Sequence, residues 1–512
     1  MKLARAFSMA LVGLDSTLVE VEVSLGTGLP RTVIVGLPDT ALYEARDRCK
    51  AAVTSLGRVW PNQQVTINLT PATLPKAGSH FDLAIVVAAL AADGLVPLAA
   101  LERTLLVGEL GLDGRVRPVR GILPLLVAAE REGLRRAIVP AAQRREGALV
   151  DGLAVCGVHT LAEAIDVLRG RPVACAVESE VAEPQVPAVT KDLADVVGQV
   201  EGKWALEVAA AGGHHLYFHG PPGVGKTLLA ERLPGLLPDL GVAESLEVSA
   251  IHSLAGESLD RGLVRRPPFA APHHSASLAA IVGGGPRVAL PGAVSRAHHG
   301  VLFLDEAPEF SPRALEALRT PLESGEIVLA RSLAQTRYPA RFQLVLAANP
   351  CPCGQAGTPG GDCRCPAMSV RRYTTRISGP ILDRIDISQS LAPMRRAMLR
   401  AASRVRAESS AMVAERVALA RERQRERLAP FGFTTNASVP GPVLRRALPE
   451  PPGLDVLDRA VTRGQLSSRG FDKVLRVAWT MADLAGAARP SREDVEAALA
   501  MRRGEELEAR CG

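Results

Sequence analysis

Apolar and polar positions alternate with a period of two at the start of the chain. The stretch MKLARAFSMALVGLDSTLVEVEV therefore reads as an alternating first strand. Up to residue 170, short apolar runs are cut by glycine turns: TVIVGLPD, QVTINLTP, FDLAIVVAALAADG, RTLLVGELGLDGRVRPVRG and RRAIVP. VTINLTP and VRPVRG alternate as strands do, whereas Leu83 to Ala92 is a helical run, so residues 1–170 predict an α/β or α+β domain. Residues 171–190 lack a buried-face pattern and contain three prolines, which predicts an interdomain linker. From 191 to 393 the apolar strands HLYFHG and VLFLDE alternate with helices and loops, the pattern of an α/β nucleotide-binding core. Residues 394–439 open as a basic helical connector, with ten arginines against four glutamates between 394 and 429. That bias fits a solvated connector as well as contact with nucleic acid or a neighbouring subunit. Residues 440–512 carry LRVAWTMADLAG and SREDVEAALAMRR, split by a Gly/Pro-containing turn, and predict a small helical lid.

Composition narrows the class. A chain of 512 residues exceeds one hydrophobic core. The first apolar run is broken by Asp15 and Glu20, and no other reaches the roughly 18 residues of a membrane span, so no membrane is expected and a cytoplasmic chain is. Eight cysteines in this length are not a secreted disulfide framework. A formal net charge of +6 permits a polyanionic partner and equally a solvated basic surface.

The nucleotide motif is GPPGVGKT: Gly220, Pro221, Pro222, Gly223, Val224, Gly225, Lys226 and Thr227, between the strand LYFH and the helix LLAERLPGLL. It satisfies the whole Walker A pattern in the strand-loop-helix context the pattern requires. Glycines let backbone N–H groups curve around phosphates, and the helix N-terminus adds positive potential. Lys226 is expected to reach the β- and γ-phosphates, and the Thr227 hydroxyl to hold Mg²⁺. VLFLDEAPEF then delivers an acidic pair at a buried strand's end, Asp305 as the Mg²⁺-side carboxylate and Glu306 as the base that orients the attacking water. Asn349 ends the strand QLVLAANP, where it can bond the γ-phosphate or that water. A turn-initiating Asn-Pro is the plainer reading of that position alone.

The ordered set SMALVGLDSTLVEVEV, IVGLPD, GPPGVGKT, APHHSASLAAIVGGG, PGAVSRAHHGVLFLDEAPEF, NPCPCG, ISGPILDRIDI and SSRGFDKVLRVAWTMADL closely resembles the YifB/ComM family of magnesium-chelatase-like AAA+ ATPases over almost the whole chain. The resemblance implies a P-loop AAA+ core with a helical lid, ATP and Mg²⁺ as cofactors, and a homohexameric ring. It casts Asn349 as sensor 1, Arg384 in GPILDRIDI as an arginine finger reaching a neighbour's ATP, and Arg469 in SSRGFDK as sensor 2, with Arg476 its rival. It implies action on DNA, single-stranded or branched, as a helicase or branch-migration factor in recombination or natural transformation. A chelatase-like ATPase remodelling a protein partner and a nucleotide-gated scaffold are the alternatives. Few aromatic residues are present for base stacking, so DNA contact would lean on backbone electrostatics. The insertion between the Walker motifs, with Arg265, Arg266, His273 and His274, and a hairpin around Gly325 resemble pore-facing elements of this branch; the histidines are read as substrate contacts or as structural.

LPKAGSHFDLAIVVAALAADG and VGELGLDGRVRPVRGILPLLVAA also resemble the proteolytic domain of Lon-type proteases, a ribosomal-protein-S5-like α+β fold. Peptide hydrolysis there needs a serine and a lysine base. This chain has His80 at the serine's place, with Ser79 one position early, and Leu123 at the lysine's place, so the dyad is incomplete despite a tempting Lys76. Finally, Cys351, Cys353, Cys363 and Cys365 form C-x-C-x₉-C-x-C, four soft ligands that can enclose a structural Zn²⁺ tetrahedrally or remain reduced loop thiols.

Overall fold

The computed structural model describes residues 2–36, 40–72, 74, 76, 78–172, 191–285, 289–331, 335–357, 362–393 and 407–505. The expected linker falls almost wholly outside these residues, as does the first part of the basic connector.

The opening alternation folds as two strands, β1 (Lys2–Val12) and β2 (Asp15–Gly26), rather than one. They pair antiparallel from Lys2↔Leu25 to Val12↔Asp15. The turn is possible because Gly13 takes φ +69, a left-handed conformation that costs glycine little. Val19, Val21 and Val23 of β2 point into the core, while the outward Glu20 and Glu22 meet Arg5 at 2.9 and 3.2 Å. With β3 (Arg31–Val35), β4 (Gln64–Thr70), β5 (Thr104–Leu106), β6 (Arg136–Pro140) and β7 (Ala154–Val158), they make a seven-stranded sheet of order β3-β4-β2-β1-β5-β6-β7. Helix α1 (Thr40–Ser55) packs on α2 (Asp82–Ala92), which is buried along its whole length, as its uninterrupted apolar run requires. Its one charge, Asp82, accepts from Arg48 of α1 at 2.7 and 3.0 Å, so the buried carboxylate is paired.

Helix α3 (Ile122–Arg131) carries Leu123 into a second apolar cluster of this unit and rests on α4 (Val242–Ala255) of the following one. Gly121 donates its N–H to Ser253 O at 3.1 Å across that contact.

The second unit is a five-stranded parallel sheet. Its strands are β8 (Leu216–His219), β9 (Phe269–Ala270), β10 (Val301–Leu304), β11 (Gln343–Ala348) and β12 (Ile387–Ser390), in the order β9-β10-β11-β8-β12. Every residue of β10 and β11 is buried, which explains why they read as continuous apolar runs instead of alternations. Gly325 does not turn a hairpin, as its surroundings suggest. It takes φ +70 as the left-handed cap of helix Arg319–Ser324, and the hairpin follows as Glu326–Ala330 against Gln335–Pro339.

Beyond the sheet, α5 (Ser410–Leu428) leads into three longer helices of the C-terminal unit, α6 (Leu454–Thr462), α7 (Ser468–Ala485) and α8 (Arg492–Arg503). Val417, Val474, Val477 and Ala498 share one core with Leu206 and Phe218 of the sheet unit. The arginines of α5 are mostly spent inside the fold. Arg416 is bidentate to Glu207 at 2.7 and 2.9 Å, Arg421 donates to Ala210 O, and Arg423 to Asp483 O. Arg427 binds the Asp483 carboxylate and stacks over Trp479. This part of the basic connector therefore ties the sheet unit to the C-terminal helices and does not present a free basic face.

Candidate functional site: a nucleotide cradle and a separate arginine cavity

Parallel strands bring their carboxyl ends to one edge, where α/β sheets bind ligands. His219 pairs with Ala348 and Leu304 with Leu346, so the next residues, Gly220, Asn349 and Asp305, emerge together. The loop after β8 runs into the short helix Lys226–Ala230. Two of its glycines are obligatory: Gly225 has φ +96, and a Cβ on Gly220 would lie 2.3 Å from Leu391 O.

Lys226 is largely buried and donates to Gly220 O at 2.6 Å, Pro221 O at 2.9 Å and Asn349 Oδ1 at 2.9 Å. Burial lowers its pKa, with Asp305 and Glu306 opposing. The Thr227 hydroxyl donates to Asp305 Oδ2 at 2.7 Å, so a hydroxyl and a carboxylate sit where two ligands of one hard cation should be. Asp305 Oδ1 accepts the Glu306 N–H at 2.9 Å.

Glu306 itself adopts φ +50, a conformation non-glycine residues take at some cost and one found preferentially at functional sites. Its carboxylate meets His274 Nδ1 at 3.5 Å. His274 lies between the Walker motifs, and its place beside Glu306 could not be read from the sequence, where APHHSAS marks it only as one of a histidine pair. Neighbouring His273 is turned to its own Ser275, with Nδ1 2.8 Å from the hydroxyl. Replacing His274 by Ala is expected to lower kcat for ATP about tenfold with KM nearly unchanged, since Glu306 loses an orienting partner and no loop contact is touched. A KM change with kcat preserved, in steady-state phosphate release, would contradict that assignment.

Arg384 and Arg469 do not join this cluster within the protomer. Together with Glu316, Arg319, Glu323 and Asp383 they line a separate cavity of about 580 Å³. Arg384 donates to Pro380 O at 2.6 Å and closely to Glu323, and its Nε is buried without a partner among the described residues. Arg469 lies 3.7 Å from Asp383 and is largely exposed. Arg476 donates to Val439 O at 2.8 Å and borders an adjoining recess with Arg384 and Arg469. Lys473, on the same helix, reaches Arg384 O at 2.8 Å and Asp386 Oδ1 at 2.6 Å, fastening that helix to the Arg384 segment.

The family description "Magnesium chelatase, subunit ChlI" matches residues 192–399, "Subunit ChlI of Mg-chelatase" residues 21–143, and the ChlI C-terminal description residues 407–502. An uncharacterized protein of Mycobacterium tuberculosis is 55% identical over 505 residues, 98% of this chain and 99% of its own length. The YifB protein of Escherichia coli is 41% identical over 504 residues, 98% and 97% of the two chains. Competence protein ComM of Haemophilus influenzae is 40% identical over 489 residues, 95% and 94%.

The chain belongs to the YifB/ComM family of magnesium-chelatase-like AAA+ ATPases.

Membership of this family supports an ATP-driven, ring-forming enzyme that uses ATP and Mg²⁺. No helix among the described residues is long and apolar enough to cross a membrane.

Among the described residues of this YifB/ComM chain, two clusters have metal-ligand chemistry. Cys351, Cys353, Cys363 and Cys365 bring their sulfurs within 4.8 Å of one another. Sulfur–sulfur separations of 3.3, 3.7 and 3.6 Å approach the ~3.8 Å edge of a tetrahedron with Zn–S near 2.3 Å. Against the cost of burial, the Ala356 N–H and the neighbouring Cys353 and Cys363 thiols lower the Cys351 thiol to about 6, while Cys351 and Cys353 in turn raise the Cys363 and Cys365 thiols, so the four titrate as one linked set.

Glu247, His298 and His299 form the other cluster. There His298 Nδ1 accepts the Arg341 N–H at 3.0 Å, so Nε2 carries the proton that it donates to Glu247 at 3.0 Å. That nitrogen is a donor in a hydrogen-bonded brace and not a free ligand.

Proposed function

We propose that the chain is a ring motor that couples ATP hydrolysis to movement on DNA, single-stranded or branched, as a helicase or branch-migration factor in recombination or natural transformation. What carries the DNA reading is the 40% identity with a competence protein across 95% of this chain.

In this reading Gly220–Thr227 cradle the triphosphate, and Thr227 and Asp305 hold Mg²⁺. Mg²⁺ would supply neutralisation of charge on the phosphates. Glu306 orients and deprotonates the attacking water, and Asn349, hydrogen-bonded to Lys226, bonds the γ-phosphate from the far strand. Arg384, whose cavity holds none of the Walker A residues, is offered to the nucleotide of the next subunit in a homohexamer, and Arg469, with Arg476 its rival, acts as sensor 2 from the lid.

We further propose that residues 1–170 are a Lon-protease-like, S5-like scaffold without peptidase activity. Ser79 is bonded to the Glu109 carboxylate, and Leu123, buried in α3, cannot accept a proton. The four cysteines are assigned to a structural zinc, a closed site with four protein ligands.

The test is steady-state ATP turnover with and without a forked or four-way DNA, across a salt range low enough to keep phosphate contacts. Stimulation by DNA supports the motor. Turnover indifferent to DNA refutes it and favours the alternative the ChlI match suggests, an ATPase remodelling a protein partner.

A further inference from the structure

We propose that the four-cysteine cluster is a metal-held brace for the nucleotide loop, so that metal occupancy sets how tightly the chain holds ATP. The proposal rests on the zinc reading above and goes beyond it, because a closed zinc site by itself need affect only the loop that contains it.

The connection is made by one short run of chain. From 348 to 354 it touches the GPPGVGKT loop three times. Ala348 O accepts the Gly220 N–H at 3.2 Å. Asn349 Oδ1 accepts from Lys226 Nζ at 2.9 Å. Gly354 then lies so close to Pro222 that a Cβ there would meet its Cδ at 2.6 Å and its Cγ at 3.0 Å. The first two contacts are at the strand end and need no help from the cluster. The third depends on a turn, closed by Gly354 N donating to Cys351 O at 2.9 Å, whose residues 351 and 353 are two of the four ligands.

Cys351 is fully buried and its sulfur accepts the Ala356 N–H at 3.3 Å, so the turn is held from within. An ion bound by Cys351 and Cys353 together with Cys363 and Cys365 pins that turn from outside and presses Gly354 against the loop. With the ion removed, the four sulfurs have no common partner to hold residues 351 and 353 in place. The turn is then free to draw back from Pro222, and the backbone donors around the phosphates lose one wall.

The experiment uses the full chain. Zinc is measured by atomic emission, and affinity by anisotropy of a fluorescent ATP analogue with Mg²⁺ present. The expected result is one zinc per chain. Stripping it with a chelator that is then dialysed away should weaken nucleotide binding about tenfold, the equivalent of about one net hydrogen bond. Re-adding zinc alone should restore it.

Gly354→Ala keeps all four ligands; it is expected to retain zinc and still bind nucleotide more weakly, which separates the contact from folding of the cluster. Zinc present, with affinity unchanged both after stripping and in Gly354→Ala, overturns the brace and leaves the zinc assignment standing. A protein that contains no zinc and takes none up when reduced overturns both.

Discussion

Glu306→Gln is expected to reduce ATP turnover by about 10²–10⁴-fold while leaving nucleotide affinity within about twofold of the parent. The separation of the two effects follows from the geometry. Nothing that cradles the triphosphate touches the Glu306 carboxylate: Lys226 is held by Gly220, Pro221 and Asn349, and Thr227 is held by Asp305. Glu306 contributes only its backbone N–H to Asp305, and glutamine keeps that. What glutamine removes is the proton acceptor beside His274. The check is phosphate release at saturating Mg²⁺–ATP together with analogue binding. Turnover surviving within tenfold would remove Glu306 as the base, and loss of binding would place it in the cradle instead.

Arg384→Ala should be as severe in hydrolysis, about 10³-fold or more, yet silent in binding by the isolated protomer. Its guanidinium sits beside Glu323 and Pro380, in a cavity whose lining includes none of the Walker A residues. A finger working in trans can be complemented.

When Arg384→Ala subunits are mixed one to one with Glu306→Gln subunits, about one interface in four joins an intact Glu306 to a neighbour's intact Arg384, as head-to-tail contacts require. Turnover should therefore reappear in a mixture of two inactive proteins. Mass photometry establishes whether the two have entered the same rings. Co-assembled rings that stay inactive would refute the trans assignment, as would an Arg384→Ala protein that hydrolyses normally by itself.

Much of the nucleotide site was legible along the chain because its parts are local. A strand, a glycine loop and a helix follow one another through Gly220–Thr227, and apolar runs mark β10 and β11 as buried strands that must end at Asp305 and Asn349. Side-chain period and turn chemistry are properties of neighbouring residues, so they survive in the linear pattern. The family resemblance added the order of the motifs, and with it the expectation that Arg384 and Arg469 matter.

The tertiary structure decided the relations among those parts. It put His274 on Glu306, gathered Arg384 and Arg469 on a cavity away from Lys226, and set Gly354 of the cysteine loop on Pro222. It also showed four arginines of α5 bound to Glu207, Ala210 and Asp483, where composition alone allowed a face for nucleic acid. Periodicity says which face of an element is buried but not which distant side chain fills the space against it. Close packing brings together residues tens to hundreds of positions apart, so those pairings exist only once the chain has folded.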